Sequence, residues 1–293
     1  MTKRESFVVL TYGPSGVGKT TDQGYSFPTA LFAAAPGALA SITSVCGYKP
    51  ARQEVTTLQD ATKLLKSISG KFDTLVIDDF SFMAEQTFGL LEKKHKGFDL
   101  WGRLRDAALG FRDQARYSQV NVVMNSWENG PRLKDGVRIR GGPSLSGRLP
   151  EQIPALCDVV LRAVHDLRRQ PWPAVYRCHL DPSWIMKDRF NIAAQVDPSP
   201  MNLAELLRAA GIPLARHPDL PKQEEQVEAL AQFFMAQADG RVAANDIYIK
   251  LVESGTPVEV VRWTLRDALD RAEIRRGLAL ARSTFIPTTA GLM

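Results

Sequence analysis

Cysteine is scarce. The 293 residues hold three, Cys46, Cys157 and Cys178, with no C-x-x-C spacing. That excludes a disulfide framework and a cysteine-based metal knuckle, and fits reduced thiols in a cytoplasm. The four histidines, His95, His165, His179 and His217, are scattered, so no zinc site is expected. Long apolar runs are missing too. The longest, Ala30 to Ala40, is broken by Pro36-Gly37 and is too short to cross a bilayer. Met1 to Ser6 leads straight into an apolar segment, which leaves no room for a signal peptide. Internal repeats and low-complexity tracts are absent. The charge excess is small, +5, which permits a nucleic-acid partner without requiring one. A cytoplasmic globular protein without a membrane partner remains.

The strongest positive feature is Gly13-Pro14-Ser15-Gly16-Val17-Gly18-Lys19-Thr20. It fits G-x-x-x-x-G-K-[ST], the P-loop. Gly16 and Gly18 let the backbone curl so that N–H groups converge on phosphate oxygens. Lys19 reaches the β- and γ-phosphates, and the Thr20 hydroxyl ligates Mg²⁺. Thr21 follows in the same turn, where the helix dipole adds positive potential. The apolar run Phe7 to Tyr12 supplies the preceding strand. ATP and Mg²⁺ are therefore the expected cofactors, cradled by residues 13 to 21.

Up to about residue 165, strand-length apolar runs alternate with helical patterns. Ala30–Ala35, Thr74–Asp78 and Val120–Asn125 read as strands. Thr57–Ile68, Phe80–Leu91 and Leu100–Tyr117 read as helices. This alternation predicts an α/β fold with a mostly parallel sheet. Asp158–Val164, Ala174–Leu180 and Trp184–Ile192 are strand-like with short connections, as in an antiparallel extension. The expected core ends near residue 212, with a linker over 213–222 and a small C-terminal helical domain over 223–293. Helices are expected at 223–238, 243–252 and from a capping box at Thr256 to about Asp270. Glu273–Gly277 and Ala281–Pro287 could pair as a hairpin, which would make a winged helix. From residue 262 onward six arginines oppose three acids. That suits either nucleic-acid contact or helix packing.

Ile77-Asp78-Asp79 ends a hydrophobic strand beside the P-loop, as a Walker B segment does. Asp78 is expected to hold Mg²⁺ with Thr20. Asp79 either positions the attacking water or caps the next helix. Asn125, at the end of the next strand, is placed to sense the γ-phosphate. Two segments mix cations with aromatics. The first holds Lys93, Lys94, Lys96, Phe98, Trp101 and Arg103. The second, residues 127 to 150, holds Arg132, Lys134, Arg138, Arg140 and Arg148 against Glu128 and Asp135. Cations for phosphates and aromatics for base stacking are the parts of a single-strand binder.

These residues, in this order, resemble the RecA-like recombinases over residues 5 to 212. Gly141-Gly142-Pro143, Leu149-Pro150 with Asp158, and Trp184 with Lys187-Asp188-Arg189 look more like the phage single-strand annealing proteins of the Sak type, which have a trimmed RecA core. The resemblance implies a filament or ring on single-stranded DNA, with ATP at subunit interfaces. It implies that the two basic segments touch DNA, and that Lys187 and Arg189 reach a neighbour's γ-phosphate. A single-strand binding protein is a further implied partner, and a bacterial host cytoplasm the implied location. One departure matters. The family's catalytic glutamate falls here at Ala35-Pro36-Gly37, so either Asp79 or Glu128 substitutes or hydrolysis is weak. The leading expectation is a weak, DNA-stimulated ATPase that binds and anneals single-stranded DNA in phage recombination. The alternatives are a switch that loads a helicase or another replication protein, and a regulator reading duplex DNA through the winged helix.

Overall fold

The computed structural model describes residues 6–168, 173–178, 181–215, 224–237, 240–256 and 258–284, with the backbone alone at 241, 242, 258, 259 and 280–284. His179, His217 and residues 216–222 of the expected linker lie outside them.

The chain opens with β1 (Val8–Tyr12), α1 (Lys19–Ser26), β2 (Leu31–Ala34), β3 (Ala51–Glu54), α2 (Leu58–Ile68) and β4 (Thr74–Asp78). It continues through α3 (Phe80–Glu92), α4 (Gly97–Tyr117), β5 (Asn121–Ser126), β6 (Glu128–Asn129), β7 (Arg132–Lys134), β8 (Val137–Ile139) and β9 (Gly142–Pro143). Then come α5 (Leu149–Leu156), β10 (Val159–His165), β11 (Ala174–Arg177), β12 (Lys187–Asp188), β13 (Ser199–Pro200) and α6 (Leu203–Ala209). The described chain closes with α7 (Glu224–Ala236), α8 (Gly240–Glu253) and α9 (Val258–Thr284).

The main sheet runs β3-β2-β4-β5-β1-β10-β11-β13, with β12 also on β10. From β3 to β10 all neighbours are parallel; β11, β12 and β13 add antiparallel pairs. The expected parallel sheet with an antiparallel extension is present. Its inner strands are apolar because both faces are covered. On β1, Val8, Leu10 and Tyr12 join the core under α2, α3 and α4, whereas Val9, with Phe7 just before the strand, joins the core under α1, α6 and the C-terminal helices. The amphipathic spacing of α2 buries Leu58, Ala61, Leu65 and Ile68, and Thr57 caps it by accepting from the Asp60 amide at 3.1 Å.

Two local expectations are corrected, and one strand is new. The edge strand β3, Ala-Arg-Gln-Glu, is exposed throughout; with no buried face it carries no apolar alternation to read. The strand expected over Trp184–Ile192 shrinks to β12, because Asp188 turns the chain by accepting from the Phe190 and Ala194 amides at 3.0 and 3.1 Å. The C-terminal hairpin is replaced by helix, since α9 continues through Glu273–Gly277 to Thr284. No proline interrupts residues 258 to 284. Gly277, the last residue of the expected first hairpin strand, is there for close packing: a Cβ on it would meet Val196 Cγ1 at 2.6 Å. No wing forms over the described residues, and 285–293 lie outside them.

Most of the C-terminal arginines pack helices together. Arg271, which is buried, contacts Glu224 and Glu228 of α7 at 3.0 and 2.8 Å and Asp267 at 3.3 Å. Arg275 joins Glu228, whose carboxyl these guanidinium hydrogen bonds hold down at about 2. Arg276 donates to the carbonyls of Phe234, Met235 and Gln237, closing the C-terminal end of α7. No helix among the described residues is long and apolar enough to cross a membrane.

Candidate functional site

The P-loop joins the C-terminal end of β1 to α1. Gly16 and Gly18 have φ of +78° and +101°, the left-handed region that glycine enters without strain. A Cβ built on either would meet nothing within 4 Å, so the cradle is open. The loop folds around its own lysine: Lys19 Nζ donates to the carbonyls of Gly13 and Pro14 at 2.8 and 2.9 Å. Burial lowers the Lys19 pKa, opposed by the nearby Asp78 and Asp79 carboxylates.

Opposite stands the end of β4. Thr20 Oγ1 donates to Asp78 Oδ2 at 2.8 Å, so the two expected Mg²⁺ ligands are in contact. Asn125 Nδ2 donates to Asp78 Oδ1 at 3.0 Å. The Asn125 amide also forms a reciprocal pair with Gln23 of α1 and accepts from Thr11 Oγ1 at 2.6 Å. One side chain thus ties β1, α1, β4 and β5 together. Burial raises the Asp78 pKa. Asp79 caps α3 by accepting from the Phe82 amide at 2.6 Å, and burial pushes its carboxyl up to about 6.

A cavity of about 410 Å³ lies over this cluster, bounded by Gly18, Lys19, Thr20, Asp78, Asp79 and Trp127. An open glycine cradle, a buried lysine and a hydroxyl–carboxylate pair at its foot fit a nucleoside triphosphate with Mg²⁺. Ala35 also borders it, at the place of the missing glutamate. Glu128 is committed elsewhere. It pairs with Arg162 at 2.9 Å, and the Arg162 guanidinium lies 3.3 Å from the centre of the Trp184 ring. Among the described residues, the carboxylates on this cavity are Asp78 and Asp79.

The first basic segment is not the long loop its composition suggests. Lys93, Lys94 and Lys96 sit in a short connection, and α4 begins at Gly97. Leu100, Leu104, Ala108, Phe111 and Ala115 form a buried stripe that carries the helix back to this point. Arg103 pairs with Asp99 at 3.0 Å. Trp101 packs on Phe88 at 5.1 Å between ring centres, whereas Phe98 is 97% exposed.

The second basic segment is a built arm. β6 pairs with β9 as a stem, and β7 with β8 as a hairpin beyond it. Asp135 and Gly136 turn the hairpin with φ of +51° and +76°, the two-residue turn that Asp-Gly favours. Arg132, Lys134, Arg138 and Arg140 are exposed on it, as is Arg148 farther along, at the start of α5. The stem rests on Trp184: the Gly141 amide donates to Ser183 O and the Ile185 amide to Gly141 O, both at 2.8 Å. The arm leaves the nucleotide cavity directly. Trp127 borders the cavity, its amide donates to Ser81 Oγ at 3.1 Å, and β6 begins at the next residue.

Lys187 and Arg189 are not brought to this cavity. They lie at the start of β10, where Lys187 faces Val160 and the Arg189 amide donates to Asp158 O. The P-loop leaves β1 opposite Arg162, about 7 Å beyond Val160 and about 13 Å beyond Asp158 at ~3.3 Å per residue. Lys187 Nζ donates to Ala155 O at 2.8 Å, and Arg189 pairs with Asp158 at 2.7 Å. The three cysteines are buried and free, with thiols pushed up to about 12 by burial, so none is poised as a nucleophile. Among the described residues no cluster of histidine, cysteine and carboxylates could hold a metal ion. Gln23, Ser81 and Trp127 are additions to the site that the sequence does not announce; each acts through a partner distant in sequence and leaves no local motif.

A family profile described as "AAA domain" matches residues 5–190. The chain belongs to the AAA-domain family. It is a P-loop ATPase domain with additional C-terminal helices. Comparison with curated proteins gives no match. Among solved structures, the chain is similar to the RadB recombinase at 16% identity and a TM-score of 0.36, covering 61% of this chain and 84% of that one. It is also similar to a KaiC-like protein of Pyrococcus horikoshii at 13% identity and a TM-score of 0.38, covering 59% and 78%.

Proposed function

We propose that this AAA-domain protein is an ATP-dependent single-stranded DNA-binding and annealing protein that acts in phage homologous recombination, in the host cytoplasm. One observation carries the reading: Trp127 borders the nucleotide cavity and immediately precedes the strand from which the basic arm extends. A shift of the β5 end on nucleotide binding therefore moves the arm. Lys19 holds phosphate charge, and Asn125 links the Asp78 carboxylate to the β5 end. Thr20 and Asp78 would hold Mg²⁺, which supplies charge neutralisation between the phosphates when bound. Arg132, Lys134, Arg138 and Arg140 of the arm supply backbone cations. Lys93, Lys94 and Lys96 with Phe98 and Trp101 add a second cationic and aromatic face, where the fully exposed Phe98 suits base stacking.

Replacing Arg132, Lys134 and Arg138 with alanine should weaken single-stranded DNA binding and flatten its salt dependence. The log–log slope should fall by about two, because each phosphate neutralised on a single strand adds ~0.7 to it. Fluorescence anisotropy across a salt series measures this; an unchanged slope removes the arm from the DNA site.

Asp79 is the residue best placed to orient the attacking water in place of the missing glutamate. Its carboxyl, raised to about 6, takes up a proton as pH falls through that value. Hydrolysis should therefore decline below about pH 6. Asp79→Asn keeps the helix cap but should remove that inflection along with most turnover. A wild-type inflection retained in the variant assigns it to another group.

Self-assembly into a filament or ring, with ATP at the interface, gives Lys187 and Arg189 a use on the neighbour's nucleotide, after exchange of their present partners. Arg189→Ala should then spare ATP binding and abolish DNA-stimulated hydrolysis. Unchanged stimulation excludes the role. A single-strand binding protein is the further partner this reading carries.

A second reading has its own observation. Leu133 and Val137 are 76% and 65% exposed on the arm, which suits a protein contact and hence a loader of a replication protein. Leu133→Ser with Val137→Ser separates the two: a loader loses its partner and keeps its weak DNA binding. A duplex-reading regulator loses its basis where α9 replaces the wing.

A further inference from the structure

Two cavities flank the first turn of α1. The nucleotide cavity lies on the β4 side. The other, of about 560 Å³, lies between α1 and the C-terminal helix α9. They meet at Gly18 and Thr21, which border both. The chemistry of the P-loop sets the direction in which a nucleotide lies. Its lysine serves the β- and γ-phosphates, and the loop amides cradle the α- and β-phosphates. Asp78, Asp79 and Trp127 border the first cavity alone, so the γ end points to that side. The α-phosphate, and the nucleoside attached to it, must leave in the other direction, past Thr21.

We propose that the second cavity is the nucleoside subsite, and that α9 forms its outer wall. This rests on the reading that the P-loop binds a nucleoside triphosphate. The volume lies within the ~300–1,000 Å³ of small-molecule sites. Val17, Tyr25 and Leu265 give it apolar surface, and Val45 and Arg262 stand on its exposed rim. Arg262 has the flat, weakly hydrated guanidinium that stacks on aromatic rings, here the base. The far side is rigid. Arg266 lies over the Tyr25 ring at 4.1 Å and pairs with Asp22 at 2.8 Å, and the Trp263 ring packs on the edge of Tyr25 at 4.8 Å. Since α9 lies outside the residues matched by the family profile, the wall belongs to this chain's own C-terminal helices. Nucleotide occupancy is thereby sensed by α9 as well as by the arm.

The test is calorimetric titration of the full chain, with Mg²⁺, using ATP and inorganic tripolyphosphate in parallel. The probes share the phosphates and differ in the nucleoside. Wild type should bind ATP at least about tenfold more tightly than tripolyphosphate. Arg262→Ala should weaken ATP binding by about three- to tenfold and leave tripolyphosphate unchanged. Val45→Trp, which fills the rim, should do the same. Both positions are exposed, and circular dichroism checks that each variant folds. Equal affinities for the two probes in wild type would overturn the subsite. So would an unchanged ratio in both variants. Binding of neither probe would refute the nucleotide reading itself, and the subsite with it.

Discussion

Lys19→Ala should weaken binding of ATP with Mg²⁺ by at least about 100-fold and abolish turnover. Charge-assisted hydrogen bonds are worth about 1.5–3 kcal/mol each, and the Lys19 ammonium is placed to make two, one each to the β- and γ-phosphates. The side chain also has a structural duty, because its Nζ holds the Gly13 and Pro14 carbonyls. Lys19→Arg keeps the charge but is too large for that seat, and it should fail almost as badly. Titration calorimetry measures binding and a melting curve checks the fold. Near-normal affinity in Lys19→Ala, with the fold intact, would mean that the nucleotide sits elsewhere.

Arg266→Ala should cost about 3 kcal/mol of stability. Asp22 is 1% exposed on α1, directly after the P-loop threonines, and Arg266 of α9 is its cationic partner at 2.8 Å. Removing one member of a buried pair leaves an uncompensated charge, worth about 3–5 kcal/mol. The lower end applies because Tyr176 Oη still donates to Asp22 at 2.6 Å. The pH dependence has a definite sign. Burial already raises the Asp22 pKa above the ordinary carboxylate value, and loss of Arg266 raises it further. A group whose folded pKa is raised stabilises the fold below that pKa and loses the contribution as pH rises through it. The penalty in Arg266→Ala should therefore be larger at neutral pH than in mild acid. Asp22→Asn in the same chain should recover part of it, since one of the two carboxylates that Arg266 faces, Asp22 at 2.8 Å and Asp270 at 3.5 Å, is then neutral. Urea unfolding at neutral and mildly acidic pH reads both effects. A loss under about 0.5 kcal/mol, the range of ordinary surface substitutions, would show that the pair does not join α9 to the nucleotide helix.

Lys19 and Asp22 both lie in the first turn of α1, yet sequence alone reaches them to different extents. Lys19 is legible because its neighbours in the chain are its neighbours in space. The same holds for β1, β4, β5 and β10, whose apolar runs are long enough to mark buried strands. Asp22 and Arg266 are separated by 244 positions, and nothing local in either segment announces the other. Trp127, Gln23 and Ser81 are hidden for the same reason. Exposure hides β3, which has no buried face to write a pattern. Gly277 reads as the end of a hairpin strand, yet its missing side chain makes room for Val196 beside a helix. The basic arm is plain as charge, whereas its hairpin rests on the short turn signal of Asp135-Gly136. The helix from Leu100 is legible in its apolar stripe, whereas its first turn, Gly97 to Asp99, is hidden among the cations from Lys93.

In the proposed function, nucleotide at the P-loop controls a basic arm that holds single-stranded DNA. The most direct test is fluorescence anisotropy of a labelled single strand, with and without a non-hydrolysable ATP analogue, at one stated salt concentration. Binding should be strong, should depend on the analogue, and should be competed for poorly by duplex DNA. Binding that is absent, or the same without nucleotide, would contradict that function.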